Sequence, residues 1–365
     1  MNKTLKRLFI LLLLFFLSFS LACGKEEYID EDSYLITTYN EEVIPLYYIH
    51  TKVQDDFLNG EYKFATIYAR GQEELSKPNP IVIDFSSQIR NSTSYEFSLD
   101  VSDTMENRIV FRTTEKRIEL KNLKIKTVYY YQIKTETETS NIYAFCVNDD
   151  KVRNLDIDGV TNVRDLGGYK VKGKRITQGL IYRSGKFNDD ESTEALVTAD
   201  GINELVNVLR IKTEIDLRQV SDNENGGITS SPLGEKVKYL SIPMKSGGNC
   251  ILLNKEVLPT LFKELGKEEN YPIIFHCSIG TDRTGMVSFL LLNLLGVDKD
   301  DVYYDYLLSN FAPIGRGRQE TQIDDYYDLI STKDGETAKE KTYNYLLSIG
   351  VDKNDIDSFI RIMTK

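Results

Sequence analysis

Tryptophan is absent from the 365 residues, histidine occurs twice and cysteine four times. The histidines, His50 and His276, stand far apart, and no Cys-x-x-Cys or His-x-x-x-His spacing exists to hold zinc. The acidic clusters Asp298-Lys299-Asp300-Asp301 and Asp324-Asp325 read as solvated helix ends rather than Mg²⁺ ligands, so no metal or other cofactor is expected. So few cysteines also argue against a disulfide-stapled fold. Cys146 and Cys250 could pair in an oxidising compartment, but buried free thiols are the expected state. Positive charge is short as well: 45 Lys and Arg face 56 Asp and Glu, a formal net charge of −11. That balance argues against nucleic acid as a partner and against a basic membrane-docking face.

Long apolar runs are scarce too. One spans residues 8–17, preceded by Lys3, Lys6 and Arg7 and followed by Ser18-Phe19-Ser20-Leu21-Ala22-Cys23-Gly24. Charge, length and small-residue end make this a signal peptide, too short and wrongly flanked for a membrane span. Ala22-Cys23 resembles the end of a bacterial lipobox, with Ser20 where leucine is usual. Residues 1–22 are therefore expected to be removed and Cys23 lipidated, leaving an exported protein held at the outer face of a bacterial membrane by lipid alone. Their loss removes three cations and no anion, so the remaining chain is more acidic still. Acidic residues crowd 25–32, and 23–45 reads as a solvated tether.

Against these absences stands the segment His276-Cys277-Ser278-Ile279-Gly280-Thr281-Asp282-Arg283-Thr284-Gly285. It sets a cysteine and an arginine six positions apart across a glycine-containing loop. The apolar run 271–275 leads in and the helix-like run 286–295 leads out. A strand, a loop of backbone amides and a helix N-terminus make an anion site. With a thiol at its centre and a guanidinium at its rim, the anion is a phosphate under attack by sulfur. A helix N-terminus and Arg283 favour Cys277 as the thiolate nucleophile. Ser278, Ile279, Gly280 and Thr281 would turn their N–H groups to the phosphate, Gly280 supplying the positive φ that lets the loop curl. The planar fork of Arg283 would hold two phosphoryl oxygens, which a lysine could not do. The Thr284 hydroxyl would donate to the sulfur as it leaves, and His276 would buttress the loop. A bare Cys-x5-Arg carries little weight, and a lone buried cysteine usually only packs. The flanking His, Gly and Thr in strand-loop-helix order make coincidence a poor explanation.

The loop resembles that of cysteine-dependent protein tyrosine phosphatases. Within them it is similar to a bacterial branch reading His-Cys-x-x-Gly-Lys-Asp-Arg-Thr-Gly, which includes secreted tyrosine and phosphoinositide phosphatases. Further segments match that branch in order: Asn162-Val163-Arg164-Asp165-Leu166-Gly167-Gly168-Tyr169, Gly179-Leu180-Ile181-Tyr182-Arg183-Ser184-Gly185, Ile215-Asp216-Leu217-Arg218 and Asp305-Tyr306-Leu307-Leu308-Ser309-Asn310. The resemblance covers residues 151–365. It implies an α/β domain with a central sheet flanked by helices, Arg164, Asp165 and Asp216 in supporting positions, and metal-independent phosphomonoester hydrolysis through a phosphocysteine. The substrate would be a phosphorylated protein, in the first place on tyrosine, or a small phosphomonoester. A phosphoinositide or dual-specificity phosphatase and a weakly catalytic phosphopeptide-binding lipoprotein are the alternatives, and the oligomeric state is open. One departure matters: Thr281 stands where the branch has lysine, which removes a cation and weakens the case for a lipid substrate.

Many tyrosine phosphatases protonate the leaving group with an aspartate some tens of residues before the cysteine. Here no aspartate lies between 223 and 281, the first upstream being Asp222. Glu224, Glu235 and Glu256 have no recognisable setting. Asp282, inside the loop, matches the aspartate proposed as acid in the resembling branch and is expected to serve as general acid, then as base for water. The plainer alternative is that it only braces the loop through a salt bridge.

Residues 46–150 have a different texture. Short alternating runs at 62–68, 81–85, 94–99, 108–112, 127–133 and 141–145 are separated by polar turns, the pattern of an all-β sandwich. Leu120-Lys121-Asn122-Leu123 leading to Thr127-Val128-Tyr129-Tyr130 resembles a fibronectin type III corner. The module reads as a spacer between membrane and catalytic domain. Downstream, strands are expected at 211–217 and 238–243, and helices at 257–265, 283–295, 298–311 and 338–348, with a last helix from Asp355. Gly315-Arg316-Gly317-Arg318 reads as a mobile basic loop, first a solvated turn and alternatively one that approaches substrate phosphates, and Met244-Lys245-Ser246-Gly247-Gly248-Asn249 reads as one wall of the site.

Overall fold

The computed structural model describes residues 44–365 apart from 189–195 and 221–225, together with a short antiparallel strand pair, Thr38–Tyr39 with Glu42–Val43. Cys23, the signal peptide and most of the tether lie outside the described residues, as do Asp222 and Glu224. Ile44–Lys365 forms one compact unit. Among the described residues no helix is long and apolar enough to cross a membrane.

Seven strands come first in this unit: β1 (Leu46–Tyr47), β2 (Ile81–Asp84), β3 (Tyr95–Asp100), β4 (Ile109–Thr113), β5 (Arg117–Leu120), β6 (Thr127–Lys134) and β7 (Tyr143–Val147). They make a five-stranded sheet in the order β1-β7-β6-β3-β4 and a separate β2-β5 pair. Alternation decides which side chains turn inward. Tyr95, Phe97 and Leu99 of β3 and Tyr129, Tyr131 and Ile133 of β6 join Ile81 and Ile83 of β2 in one apolar core.

The run at 62–68, expected as a strand, is helical. Lys52–Leu58 forms α1, opened by a capping box between Thr51 and Gln54, and a 3₁₀ turn at Tyr62–Phe64 runs into α2 (Ala65–Tyr68). Packing overrides the local alternation. Phe57 meets the rings of Tyr304 and Phe311 at 5.3 Å each, and Tyr62 stacks on Tyr303 at 4.4 Å. The helices thus bury one side in the downstream core and leave Phe64 and Ile67 facing solvent.

The second sheet is built from β8 (Arg153–Asn154), β9 (Arg164–Asp165), β10 (Ile181–Ser184), β11 (Thr213–Asp216), β12 (Lys238–Ser241) and β13 (Ile273–His276). Its order is β8-β9-β10-β13-β11-β12; β10, β13, β11 and β12 run parallel, and β8 and β9 close the edge antiparallel. Every residue of β10, β11 and β13 is buried, as expected for parallel strands covered on both faces. After α3 (Ala199–Asn203), α4 (Cys250–Asn254) and α5 (Leu258–Leu265), helix α6 (Asp282–Leu295) follows β13 through the loop 277–281, is buried at every position after Asp282, and ends on Gly296 at φ 84°. Helices at Leu258–Leu265, Lys299–Leu307, Ala338–Ser348 and Lys353–Met363 pack around it close to the expected spans, joined by one at Thr321–Ser331 that was not expected.

The two sheets are fastened together. Arg153 donates to the carbonyls of Leu123 (3.0 Å) and Asn122 and to Asp165 Oδ2 (2.8 Å). Gln178 exchanges two hydrogen bonds with the backbone of Ile125, and Asn122 donates to Glu204 at 2.6 Å.

Candidate active site

The loop between β13 and α6 lies at the carboxyl ends of the parallel strands, where ligands of open α/β sheets bind. What shapes it is the fate of its carbonyls. The Ser278 carbonyl accepts from the Lys186 N–H (3.1 Å), those of Ile279 and Gly280 from the Asn162 amide (3.0 and 3.1 Å), and that of Gly280 also from Arg183 (2.7 Å). With the carbonyls drawn outward, successive peptide N–H groups are left to the concave side, the form of an anion nest. Cys277, only 2% exposed, sits at the start of this curve. Thr284 Oγ1 is buried one step into α6 and has no hydrogen-bond partner among the described residues. Arg283 reaches the rim, where it donates to Ser278 Oγ (3.3 Å) and to the carbonyls of Met244 (3.4 Å) and Leu217 (3.5 Å). The 244–249 segment therefore meets the site at its first residue.

Gly280 adopts φ 70°, and a β-carbon there would lie 2.5 Å from the Ser184 carbonyl oxygen. Gly280→Ala is therefore expected to push the loop off β10 and lower any turnover at Cys277 by about 100-fold, the scale of a 1 Å misplacement. Steady-state kinetics beside a circular dichroism melt would check this; near-normal turnover would show the loop can be displaced freely.

Behind the loop stands a buried ionic frame. Asp305 accepts from Arg164 Nε at 2.8 Å and from Arg183 Nη1, and Arg164 in turn donates to Asn162 Oδ1 at 2.5 Å. Burial alone would raise the Asp305 carboxyl, but Arg164 and Arg183 outweigh it and hold it below its ordinary value. Burial, with Arg164 nearby, brings the Arg183 guanidinium down to about 10. Of the expected supporting residues, Arg164 thus acts on the loop through Asn162. Asp165 does not: it accepts from Arg153 and from the N–H groups of Gly167 and Gly179, and so joins the sheets.

His276 is wholly buried, with Nε2 3.0 Å from Glu214 Oε1 and Nδ1 3.2 Å from the Cys277 carbonyl oxygen. Both ring nitrogens face acceptors, so the ring is placed to donate and buttress. Among the described residues Glu214, Asp216 and His276 form one group able to hold a metal, with ligand atoms within 4.8 Å of one another. Counting histidines misses this group. Its oxygens are engaged, however: Ser231 Oγ donates to Glu214 Oε2 at 2.5 Å, and Arg218 and Tyr239 donate to Asp216. The donor set fits a hydrogen-bonded frame better than a metal. Burial opposes ionisation of Asp216, yet His276 and Arg218 outweigh it and keep the carboxyl low.

Thr281 is fully buried and turns its hydroxyl to the Ile279 carbonyl (3.4 Å), away from any role as a surface cation substitute. Asp282 occupies the first turn of α6 and is gripped by Arg318, whose Nε and Nη2 donate to its two oxygens at 3.1 and 3.3 Å. Within the 315–318 segment Gly315 and Arg316 are exposed, as a solvated turn requires, while Arg318 turns onto the site. Sequence reading passed over Asn162, Arg183 and Asp305 as individual residues, although a charged residue in each buried segment signals an internal partner. Arg318, beyond the matched segments, gave no such signal. Cys146, Cys250 and Cys277 are buried free thiols.

Residues 155–348, a little over half of the chain, match the tyrosine phosphatase family. A protein of Cupriavidus necator, provisionally named a tyrosine-protein phosphatase, is 28% identical over 182 residues, which cover 43% of this chain and 63% of that protein. The triple specificity protein phosphatase PtpB of Mycobacterium tuberculosis is 41% identical over 58 residues, 16% of this chain and 21% of that one. The chain thus spans less than two thirds of the length of either relative. Among solved structures, P. aeruginosa TpbA in complex with pTyr aligns at 16% identity and TM-score 0.29, over 58% of this chain and 95% of that one. The core catalytic domain of the S. cerevisiae PP-IP phosphatase aligns at 17% and TM-score 0.28, over 43% and 90%. On the family match over 155–348, with the loop of Cys277 and Arg283 inside it, the chain belongs to the tyrosine phosphatase family.

Proposed function

We propose that the protein is a metal-independent phosphomonoester hydrolase working through a phosphocysteine on Cys277, with protein phosphotyrosine as its substrate. The observation that carries this reading is the loop whose carbonyls at Ser278, Ile279 and Gly280 are held outward around a buried cysteine, with Arg283 at the rim. Sulfur attacks phosphorus, the bond from phosphorus to the ester oxygen breaks, and Asp282 gives that oxygen its proton. Water then attacks the phosphocysteine, Asp282 takes a water proton, and inorganic phosphate departs as the sulfur–phosphorus bond breaks. The loop N–H groups and Arg283 bear the charge of the equatorial oxygens throughout. Thr284 Oγ1, buried and unpartnered, is free to donate to the departing sulfur.

Tyrosine is favoured over inositol lipids by the family's name, by the name of the Cupriavidus relative, and by Thr281 in place of a cation. Purified protein should hydrolyse p-nitrophenyl phosphate in excess EDTA and be blocked by vanadate. On a panel of phosphotyrosine peptide, phosphoserine peptide and phosphoinositides, the first should turn over fastest; dependence on added metal would overturn the mechanism. Asp282→Asn should flatten the limb of the pH–rate profile that needs the acid form. It should also cost about 10²–10⁴-fold on a phosphotyrosine peptide and much less on p-nitrophenyl phosphate, whose leaving group needs no proton. An unchanged profile would reduce Asp282 to a brace.

The upstream strands read as a fibronectin type III-like module. In support, the Tyr129 hydroxyl accepts from the Lys124 N–H at 2.7 Å, the bond of a tyrosine corner. Export with lipid on Cys23 rests on residues 1–24 alone; globomycin, or Cys23→Ala, should leave unprocessed precursor.

A further inference from the structure

Asp282 and Arg318 present a conflict within the proposed mechanism. A carboxyl that is to hand over a proton needs one oxygen protonated and facing the leaving group. Here both oxygens already accept from one guanidinium, in the bidentate arrangement. The structure therefore holds the acid in an engaged, resting arrangement.

The means of release lie in how Arg318 is mounted. Its backbone is anchored by Asn310, which accepts from the Arg318 N–H at 2.6 Å and donates to its carbonyl at 2.9 Å. Asn310 is itself fully buried. The side chain ends on Asp282, on the neighbouring Arg316 carbonyl (2.9 Å) and on the Tyr306 hydroxyl. The ion pair is partly buried, 14% exposed on the Arg318 side chain and 28% on that of Asp282, so its solvent edge is the Asp282 carboxylate. Arg316, two residues before, is exposed, so the rim gathers cations in a chain whose net charge is −11. A backbone held by Asn310 and a planar fork ending on a partly exposed carboxylate make a site where a second carboxylate can compete for the guanidinium.

We propose that Arg318 is a specificity-determining and positioning residue: it reads a carboxylate next to the phosphotyrosine of a substrate peptide, and in moving its fork to that carboxylate releases Asp282 to act as acid. The inference rests on the hydrolase reading above. The carboxylate is preferred to a second phosphate because the fork already holds a carboxylate in the resting site. Substrate selection and acid release become one event, so an acidic neighbour raises kcat as well as lowering KM.

The test compares two phosphotyrosine peptides that differ only in flanking Glu or Ala, along with phenyl phosphate and p-nitrophenyl phosphate, on the full chain. The wild type should prefer the Glu peptide by about tenfold in kcat/KM, the scale of one charge-assisted contact. Arg318→Ala should level the two peptides and raise the phenyl to p-nitrophenyl rate ratio, while Arg318→Lys should restore part of the preference. Equal wild-type rates, a preference that survives Arg318→Ala, or a ratio that falls in that variant would each overturn the proposal, the last by making Arg318 a brace. A stronger response to a neighbouring phosphate than to Glu would overturn the carboxylate assignment. Peptide binding to Cys277→Ser protein, with and without Arg318→Ala, gives a readout that needs no turnover. If p-nitrophenyl phosphate hydrolysis proved independent of Cys277, the hydrolase reading would fail, and this binding comparison would still decide what Arg318 reads.

Discussion

Cys277→Ser should abolish p-nitrophenyl phosphate turnover by about 10⁴-fold or more while leaving thermal unfolding within about 1 kcal/mol of wild type. The two halves of this expectation have separate causes. The side chain is buried among amides drawn to it by the outward carbonyls of Ser278, Ile279 and Gly280, and serine fits the same space. What is lost is the nucleophile: an alkoxide is far harder to form at neutral pH than a thiolate, and no neighbouring base is placed to make one, since His276 faces two acceptors. The variant should still bind phosphotyrosine peptide and should accumulate no phosphoenzyme on rapid quench with ³²P-labelled substrate. Turnover retained at a few per cent would move the nucleophile elsewhere.

The second large effect is expected at a residue that touches no substrate. Asp305→Asn should lower stability by about 3–5 kcal/mol, because it leaves the buried Arg164 and Arg183 guanidiniums without a counter-charge. It should also slacken the loop, since Arg183 holds the Gly280 carbonyl and Arg164 holds Asn162. The pH dependence follows from the same pair of arginines. They hold the Asp305 carboxyl below its ordinary 3.8 against the opposing pull of burial. A carboxyl depressed on folding contributes stability in full above its unfolded value, and that contribution fades as pH falls through the lower folded value. The wild type should therefore lose this increment below about pH 4, and the difference between wild type and variant should shrink over that range. Urea denaturation from pH 7 down to pH 3 measures it. A constant difference across the range would mean the carboxylate charge is not what the arginines need.

The sequence made the chemistry more legible than its support. Cys277, Gly280, Arg283 and Thr284 could be read because phosphate chemistry demands those residue types at that spacing, whatever surrounds them. The sheet was legible where strands are buried on both faces, as at 213–216 and 273–276, and α6 where fourteen residues run without a break. The helices at 52–68 were hidden because their short apolar pattern is settled by Tyr303, Tyr304 and Phe311, more than 200 residues away. Arg318 was hidden for a related reason: its partner Asp282 lies 36 positions back and no local period joins them.

Arg153 carries a consequence for the chain as a physical object. Its guanidinium is buried with two carbonyls of one sheet module and a carboxylate of the other as its partners, and Phe57, from before the first module's main strands, lies in the second module's core. A cut at residue 150 would separate neither module cleanly. It would strip Arg153 of both its carbonyl acceptors, open a hole where Phe57 had been, and so leave a fragment prone to association.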